Sequence, residues 1–314
     1  MQQKKERFMK NGSNKPKTTL RQRLDRENVA GYLCTLPFSF GFFVFTLFPI
    51  AASLYYSFTD FDILSSPQWV GLKNYADLFL SDETFWTSLG VTLYYTLVSV
   101  PLKLLFALFV AMIFLRTSRM SAIYRAVYYL PSIIGSSVAV AVLWKRMFAT
   151  DGIINAFLSH FGFPEDFAWL GNTKTAIWTL ILLTVWQFGS SMLIFLAALK
   201  QIPTTLYEAA RVDGASSIKQ FFKITLPLLT PTIFFNLIMQ MITAFMAFTQ
   251  CYIITNGKPL DSTLFYAVYM YRQSFDFYHF GYGAAMAWIM LIIIATVTFL
   301  IFKTSDRWVY KEGE

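Results

Sequence analysis

Two small groups of residues are of the types that carry out chemistry. Asp60 and Asp62 have the D-x-D spacing with which two carboxylates can hold a divalent ion for sugar-nucleotide transfer. The two histidines, His160 and His279, are far apart in the sequence, and the chain contains neither an H-E-x-x-H nor a G-x-S-x-G motif. A membrane-embedded glycosyltransferase or protease is therefore a weak alternative, and a solvated loop is the simpler interpretation of the two aspartates.

The sequence does not contain a motif for binding ATP. Its only Gly-Lys pair is Gly257-Lys258, but Tyr252 stands where a P-loop needs its first glycine, and Pro259 stands where it needs Ser or Thr. We therefore expect no cofactor on this chain.

A further group of residues suits binding rather than catalysis, because polar and aromatic side chains interrupt long apolar stretches. They are Trp186, Gln187, Ser190, Asn236 and Gln240, and several recur at three- or four-residue spacing, which puts them on shared helix faces. An indole can stack on a sugar ring, and amides can hydrogen-bond its hydroxyls. Hydrogen bonds that join neighbouring helices, worth about 0.6 kcal/mol each, are the competing explanation.

The composition indicates which elements must position these residues. The chain has 314 residues, of which 56% are hydrophobic and 14% charged, and its mean hydropathy is +0.49. Because an average soluble protein carries about 25% charged residues, we expect a membrane protein. The two cysteines, Cys34 and Cys251, both lie in apolar stretches and form no C-x-x-C site.

Six apolar stretches are long enough to cross a bilayer, which takes roughly 20 residues per helix. We place these spans at 30–56, 90–114, 127–147, 175–199, 228–254 and 283–302. The first is too long for a cleaved signal and has no small-residue cleavage site, so we interpret it as a retained anchor. The prediction is an all-α, polytopic membrane protein.

Basic residues are distributed in a way that orients these spans. Most of the 26 Lys and Arg residues fall in the segments 1–29, 115–126, 200–227 and 303–314, which alternate with less basic segments. The positive-inside rule therefore places both termini in the cytoplasm, and it accounts for the net charge of +8 without nucleic acid as a partner. The basic segment 1–29 suits contact with anionic lipid, with a cytoplasmic protein partner as the alternative.

Lys103 is the one charge expected deep inside a span. A lysine at the centre of a bilayer costs about 2.5 to 3.5 kcal/mol on insertion scales. We expect its head to reach the outer interface by snorkelling, and pairing with substrate or with a carboxylate is the alternative.

The cytoplasmic loop at 200–227 has the pattern of a helical hairpin. Thr205 and Glu208 have capping-box spacing, which predicts a helix that begins near Thr205 or Leu206. Gly214 allows a left-handed turn, and a second short helix is expected from Ser216 to Lys223. From physics alone the hairpin could either rest on the membrane or dock to another protein.

Residues of this loop resemble a known family. Glu208-Ala209-Ala210, Gly214, Ile224 and Leu226-Pro227 match the spacing of the EAA motif of permease subunits of bacterial ABC importers, here of the carbohydrate-uptake type. Trp69 to Tyr75 resembles the W-VGL-NY element of sugar permeases, and Asn256 to Pro259 followed by Ser262-Thr263 resembles their GGP-ST loop, with Lys258 in place of a glycine.

This resemblance implies a domain organisation. It implies a five-helix type I permease core at 88–303, preceded by one extra helix at 30–56 and an extracytoplasmic loop at 57–87, and followed by a cytoplasmic tail at 304–314. Trp186, Gln187, Ser190, Asn236 and Gln240 would line the sugar pathway. The residues expected to couple to the ATPase are Glu208, Ala209, Ala210, Gly214, Ile218, Phe221, Phe222, Ile224, Leu226 and Pro227.

The resemblance also implies partners and a location. The expected partners are a second, homologous permease subunit, two ABC ATPase subunits that carry ATP and Mg, an extracytoplasmic sugar-binding protein, the carbohydrate substrate and membrane lipid. The expected location is the bacterial cytoplasmic membrane. Glycerol phosphate or another polyol-like solute is the alternative substrate. A secondary carrier is disfavoured, because all 18 Asp and Glu residues fall outside the predicted spans.

Overall fold

The computed structural model describes residues 27–115 and 121–310. Most of the basic segment predicted at 1–29 therefore lies outside the described residues, as does the end of the tail. In the described part, four helices are long and apolar enough to cross a membrane, and the number rises to six if each of two bent helix pairs is one span.

The first compact unit ends at Tyr55, and the second begins at Tyr56. Helix α1 (Glu27–Phe42) continues through a π-helical turn (Phe43–Leu47) into α2 (Phe48–Ser57). The apolar stretch in these helices runs from Cys34 to Ser57 over 24 residues, and none of its most apolar window is buried. It corresponds to the first predicted span.

A short connection follows in the second unit. Strands β1 (Thr59–Asp60) and β2 (Gln68–Trp69) pair antiparallel and precede α3 (Lys73–Leu80). Asn74 is buried and donates from Nδ2 to the carbonyl oxygens of Ser57 and Thr59, each at 2.9 Å. These two bonds connect α3 to the end of α2 and to β1.

The remaining helices form the second unit. They are α4 (Glu83–Leu115), α5 (Ser121–Ile134), α6 (Val138–Met147), α7 (Ile153–Ser159), α8 (Ala176–Trp186), α9 (Gly189–Gln201), α10 (Thr204–Val212), α11 (Ser217–Gln220), α12 (Leu226–Phe245), α13 (Thr249–Ile254), α14 (Tyr266–Tyr271) and α15 (Phe280–Ser305). Helix α4 packs against α8, α9, α12 and α14. It is apolar around its circumference, as expected for a membrane span with one face on other helices and one face on lipid.

Two predicted spans are bent helix pairs. Span three bends by 97° between α5 and α6, and span four bends by 42° between α8 and α9. The predicted bounds 127–147 and 175–199 each contain one of these bends, because apolar content alone does not distinguish a straight helix from a bent one.

Asp82 connects the ends of three helices by hydrogen bonds. Its Oδ1 accepts the backbone N–H of Phe85 in α4, and its Oδ2 accepts the hydroxyls of Tyr269 in α14 and Tyr282 in α15 at 2.6 Å and 2.5 Å. Burial, and then the hydrogen bond to Asp82, raise the pKa of Tyr269 above its ordinary value. A neutral phenol that donates to a carboxylate therefore stabilises this end of the molecule.

Candidate coupling loop and substrate pathway

The loop between spans four and five begins with the exposed helix α10. Pro203 is its N-cap, with φ −60° and ψ 131°, and no side chain caps the helix. The capping box predicted for Thr205 and Glu208 is therefore wrong. Pro203 is already preset for entry into a helix, so the helix begins at Thr204, and Thr205 lies inside it.

Gly214 ends α10 in the predicted left-handed conformation, with φ +75°. The N–H of Gly214 donates to the carbonyl of Arg211 at 3.0 Å, and the N–H of Ala215 donates to the carbonyl of Ala210 at 2.8 Å. This pair of bonds is a Schellman motif, which satisfies carbonyl groups at the helix end. The hairpin turn is thus fixed by backbone hydrogen bonds.

The second helix of the loop merges with span five. Ser216 caps α11 by accepting the N–H of Lys219 at 3.4 Å, and a π-helical turn (Phe221–Thr225) leads directly into α12. The N–H of Leu226 bonds to the carbonyl of Phe221, so Pro227, which has no N–H, falls in the first turn of α12. The separate helix predicted from Ser216 to Lys223 is therefore the base of a helical stretch of 38 residues.

The predicted coupling residues divide into two groups by burial. Glu208, Ala209, Gly214, Ile218 and Phe222 are exposed, whereas Ala210, Phe221, Ile224, Leu226 and Pro227 are half-buried. The half-buried residues lie mainly where the loop joins span five.

Val212 is an exposed member of the loop surface that the sequence analysis missed. Its side chain is 89% exposed, next to the turn, and those of Ile218 and Phe222 are 72% and 58% exposed. The sequence contained a signal for this exposure, because Val212 directly precedes the Asp-Gly pair that ends the helix. A residue at that place has few neighbours in its own chain to pack against.

A second candidate site lies where three helices are interrupted. The interruptions are residues 135–137 between α5 and α6, residues 187–188 between α8 and α9, and residues 246–248 between α12 and α13. Non-helical backbone at membrane depth is tolerated where it is buried in protein or lines an aqueous cavity. Broken helices are also where many transporters bind their substrates.

Hydrogen bonds join these interruptions to each other. Ser132 in α5 donates from Oγ to the carbonyl of Gln187 and accepts the N–H of Ser190, both at 3.0 Å. Gln250 in α13 donates from Nε2 to the carbonyl of Gly135 at 3.1 Å. We call this meeting of the three interruptions the junction.

Close packing at the junction requires a glycine. A Cβ on Gly135 would overlap with the side chain of Gln187 and with the carbonyl of Pro131. Ser132, Gly135 and Gln250 were not among our predicted site residues. The Gly-Ser-Ser run at 135–137, which interrupts an apolar stretch, was the sequence signal for the first break.

Three predicted pathway residues lie at the junction. Trp186, Gln187 and Ser190 are half-buried, and Gln187 donates from Nε2 to the carbonyl of Leu183 at 3.2 Å. The indole of Trp186 lies 5.9 Å from that of Trp144, centroid to centroid. This part of the junction therefore combines an aromatic pair with amide and hydroxyl groups.

Asn236 and Gln240 lie on α12, away from these hydrogen bonds. Asn236 is buried and donates from Nδ2 to the carbonyl of Thr232 at 3.0 Å, within its own helix, and Gln240 is half-buried. The bond of Asn236 is not one that joins two helices, which weakens that explanation for this residue.

Lys103 does not extend along an exposed surface. It is 7% exposed, on the same face of α4 as the buried residues Thr96 and Ser99. The structure therefore does not show the snorkelling of the Lys103 ammonium group to the outer interface that we expected from the sequence.

The residues considered for catalysis have local structural roles. Ser65 donates its backbone N–H to Oδ1 of Asp62 at 2.6 Å, and hydrogen bonds with Ser65 hold the pKa of Asp62 below its usual value. His160 contacts the carbonyl of Ala156, and His279 contacts Gln273. In residues 27–115 and 121–310, no three His, Cys, Asp or Glu side chains are grouped so as to hold a metal ion.

Comparison with known sequences connects these features to a family. Residues 84–311 match the model of the binding-protein-dependent transport system inner membrane component. The probable ABC transporter permease protein YesP of Bacillus subtilis is 53% identical over 291 residues, which cover 92% of this chain and 94% of YesP. The arabinooligosaccharides transport system permease protein AraP of the same organism is 33% identical and covers 89% of both chains.

The fold is also similar to that of a solved structure. A chain of a bacterial alginate ABC transporter, crystallised in complex with an alginate pentasaccharide-bound periplasmic protein, superposes with a TM-score of 0.78 at 21% identity. The match covers 92% of this chain and 97% of that one.

Proposed function

Because this chain belongs to the family of binding-protein-dependent transport system inner membrane components, we propose how its loop and its junction serve transport. It is a multi-pass permease subunit of an ABC importer of the carbohydrate-uptake type, a transport component rather than an enzyme. Its role in the importer is to form half of the transmembrane pathway for a sugar or oligosaccharide and to couple that pathway to a separate ATPase subunit.

The loop surface formed by α10 and α11 is the element that docks to the ATPase. The observation that carries this proposal is that Val212, Ile218 and Phe222 are exposed on a hairpin whose turn is fixed by backbone bonds. Apolar side chains held on a preformed surface lose little conformational entropy when a partner covers them. The basic composition of this loop supports its location in the cytoplasm, with both termini on the same side.

The junction contributes to the sugar pathway. Trp186 offers an aromatic face, and Gln187 and Ser190 offer polar groups beside backbone that is not helical. Asn236 and Gln240 lie on the neighbouring α12 and extend the proposed pathway along span five. Sugars need both kinds of contact, an apolar face for the ring and hydrogen bonds for the hydroxyls.

Transport requires partners in this proposal. A binding protein delivers the sugar to the outer face, a second permease completes the pathway, and two ATPase subunits bind ATP and Mg. Closure of the ATPase dimer moves the docked loops as rigid bodies, and the pathway opens alternately to each side.

The docking role is tested in proteoliposomes that contain the complete transporter. Glu208→Lys places a cation on the exposed face of α10, and Gly214→Pro disturbs the Schellman turn. Both variants should insert normally but lose most sugar uptake and most stimulation of ATP hydrolysis by the binding protein. Glu165→Lys, which makes the same charge change on an exposed outer loop, is the matched control.

Full uptake by both loop variants would refute the docking role. A panel of neutral oligosaccharides, acidic oligosaccharides and glycerol phosphate, assayed for uptake by the wild type, identifies the substrate class. Uptake of glycerol phosphate and of none of the oligosaccharides would favour the alternative substrate.

A further inference from the structure

Helix α10 is held weakly by packing. It has no buried residue of its own. The chain enters it through Ile202 and Pro203, whose backbone is extended, and leaves it through the turn at Gly214. The turn alone would allow α10 to swing about its end, so a second point of attachment is needed to fix its direction.

Tyr207 provides that second point. Its hydroxyl lies 2.8 Å from Oγ1 of Thr225, the last residue of the π-helical turn at the base of span five. Tyr207 is half-buried, and Thr225 is 7% exposed. The bond therefore joins the middle of an exposed helix to a buried position, across 18 residues of sequence.

The chemistry of the pair suits a rigid connection. A tyrosine places its hydroxyl at the tip of a planar ring with two side-chain torsions, and a β-branched threonine has few rotamers in a helix. Each hydroxyl can donate or accept, so the pair can persist when its geometry changes slightly.

We propose that the Tyr207–Thr225 hydrogen bond is the strut that makes α10 move together with span five. This proposal rests on the docking of the loop to the ATPase. Displacement of α10 by the ATPase is then carried to α12, and through α13 to Gln250 at the junction. Tyr207 and Thr225 are positioning residues in this scheme, because neither touches ATP or sugar.

The strut is tested by uptake per ATP hydrolysed in proteoliposomes with the complete transporter. Tyr207→Phe and Thr225→Val each remove one hydroxyl and keep the shape of the side chain. Each is expected to lower uptake per ATP by about fivefold, the effect of one neutral hydrogen bond. The double variant should be no worse than either single variant, because both remove the same bond.

Two controls separate positioning from simple stabilisation. Thr225→Ser keeps the hydroxyl and should restore uptake per ATP to that of the wild type. Tyr94→Phe alters an exposed tyrosine at the outer end of α4 and should change nothing. Retention of the ATPase subunits on the purified variants is measured in parallel, and if Tyr207→Phe does not assemble, the comparison of Thr225→Val with Thr225→Ser decides.

Unchanged uptake per ATP in both single variants overturns the strut, as does a double variant whose loss is the product of the two single losses. A fall in assembled transporter with uptake per ATP unchanged also overturns it, because it indicates a purely structural role. The loop variants separate failure of the docking role from failure of the strut. If Glu208→Lys and Gly214→Pro are both fully active, the docking role fails. If they are inactive while Tyr207→Phe and Thr225→Val are normal, only the strut fails.

Discussion

Replacing Ser132 by alanine removes the side chain that joins two broken helices. Its Oγ both donates to the carbonyl of Gln187 and accepts the N–H of Ser190. Neither backbone group can return to a regular helical bond, because both lie at the interruption between α8 and α9. The variant therefore leaves one carbonyl and one N–H without these partners and creates only a small cavity.

The expected cost follows from those two bonds. A hydrogen bond between neutral groups contributes about 1 kcal/mol net, and a buried group left without a partner costs about 1 to 3 kcal/mol. Ser132 is half-buried, so water can reach the vacated groups in part, and the lower end of the range applies. We expect the free energy of unfolding to fall by about 2 kcal/mol, or roughly thirtyfold in the equilibrium constant.

The measurement is equilibrium unfolding of the purified chain in mixed micelles, titrated with a denaturing detergent and followed by tryptophan fluorescence. Ser136→Ala is the control, because Ser136 is exposed in the interruption between α5 and α6. Sugar uptake by Ser132→Ala should also fall, since the break in span four loses its support. Equal unfolding midpoints for the two variants would show that Ser132 does not hold the junction.

The remaining predictions concern the turn of the loop and the hydrogen bonds of Asp82. Gly214→Ala forces a side chain into φ +75°, so it should lower the free energy of unfolding by about 1 kcal/mol and also lower uptake. Gly162→Ala is the control, because Gly162 has φ +85° in the loop between α7 and α8. It should lower the free energy of unfolding by the same amount and leave uptake unchanged. Asp82→Ala should lower the free energy of unfolding by about 2 kcal/mol at pH 7 by removing the acceptor of the Tyr269 and Tyr282 hydroxyls. Because the pKa of Tyr269 is raised in the folded state, its contribution to the free energy of unfolding should be present below about pH 10 and lost as the pH rises further. The loss should be less steep in Asp82→Ala. Unfolding curves recorded from pH 7 to 11 measure both.

The coupling loop could be predicted from sequence to the extent that its structure is local. Gly214 at the helix end and the cap at Ser216 follow from rules that involve a few neighbouring residues. The start of α10 could not be predicted as well, because Pro203 and the Thr205/Glu208 pair offered competing signals. The extent of the second helix was missed for another reason. Pro227 indicates a break by its type, but it falls in the first turn of α12, directly after the π-helical turn, and the helical stretch continues through it.

The junction could not be predicted, because it depends on contacts between distant parts of the chain. Ser132 is one hydroxyl in an apolar stretch, and its importance comes from a partner more than 50 residues away. Trp186 and Gln187 were selected for their chemistry, but the sequence did not indicate that the helix breaks directly beside them. Hydropathy measures the length of a span, and a break of two or three residues does not change that length enough to be seen.

The two candidate sites place different demands on the backbone. At the loop, rigidity comes from local turns together with one long-range side-chain bond, so that the proposed ATPase partner would meet a preformed surface. At the junction, the helices are interrupted, and side chains such as Ser132 and Gln250 supply the bonds that regular helix would have made. Interrupted helices can change their mutual angle with fewer broken hydrogen bonds than continuous ones, because fewer ladder bonds cross the break. Span five contains both features, the π-helical turn at its base and the interruption at 246–248, and it is therefore the element through which the proposed movement of the loop would reach the proposed pathway.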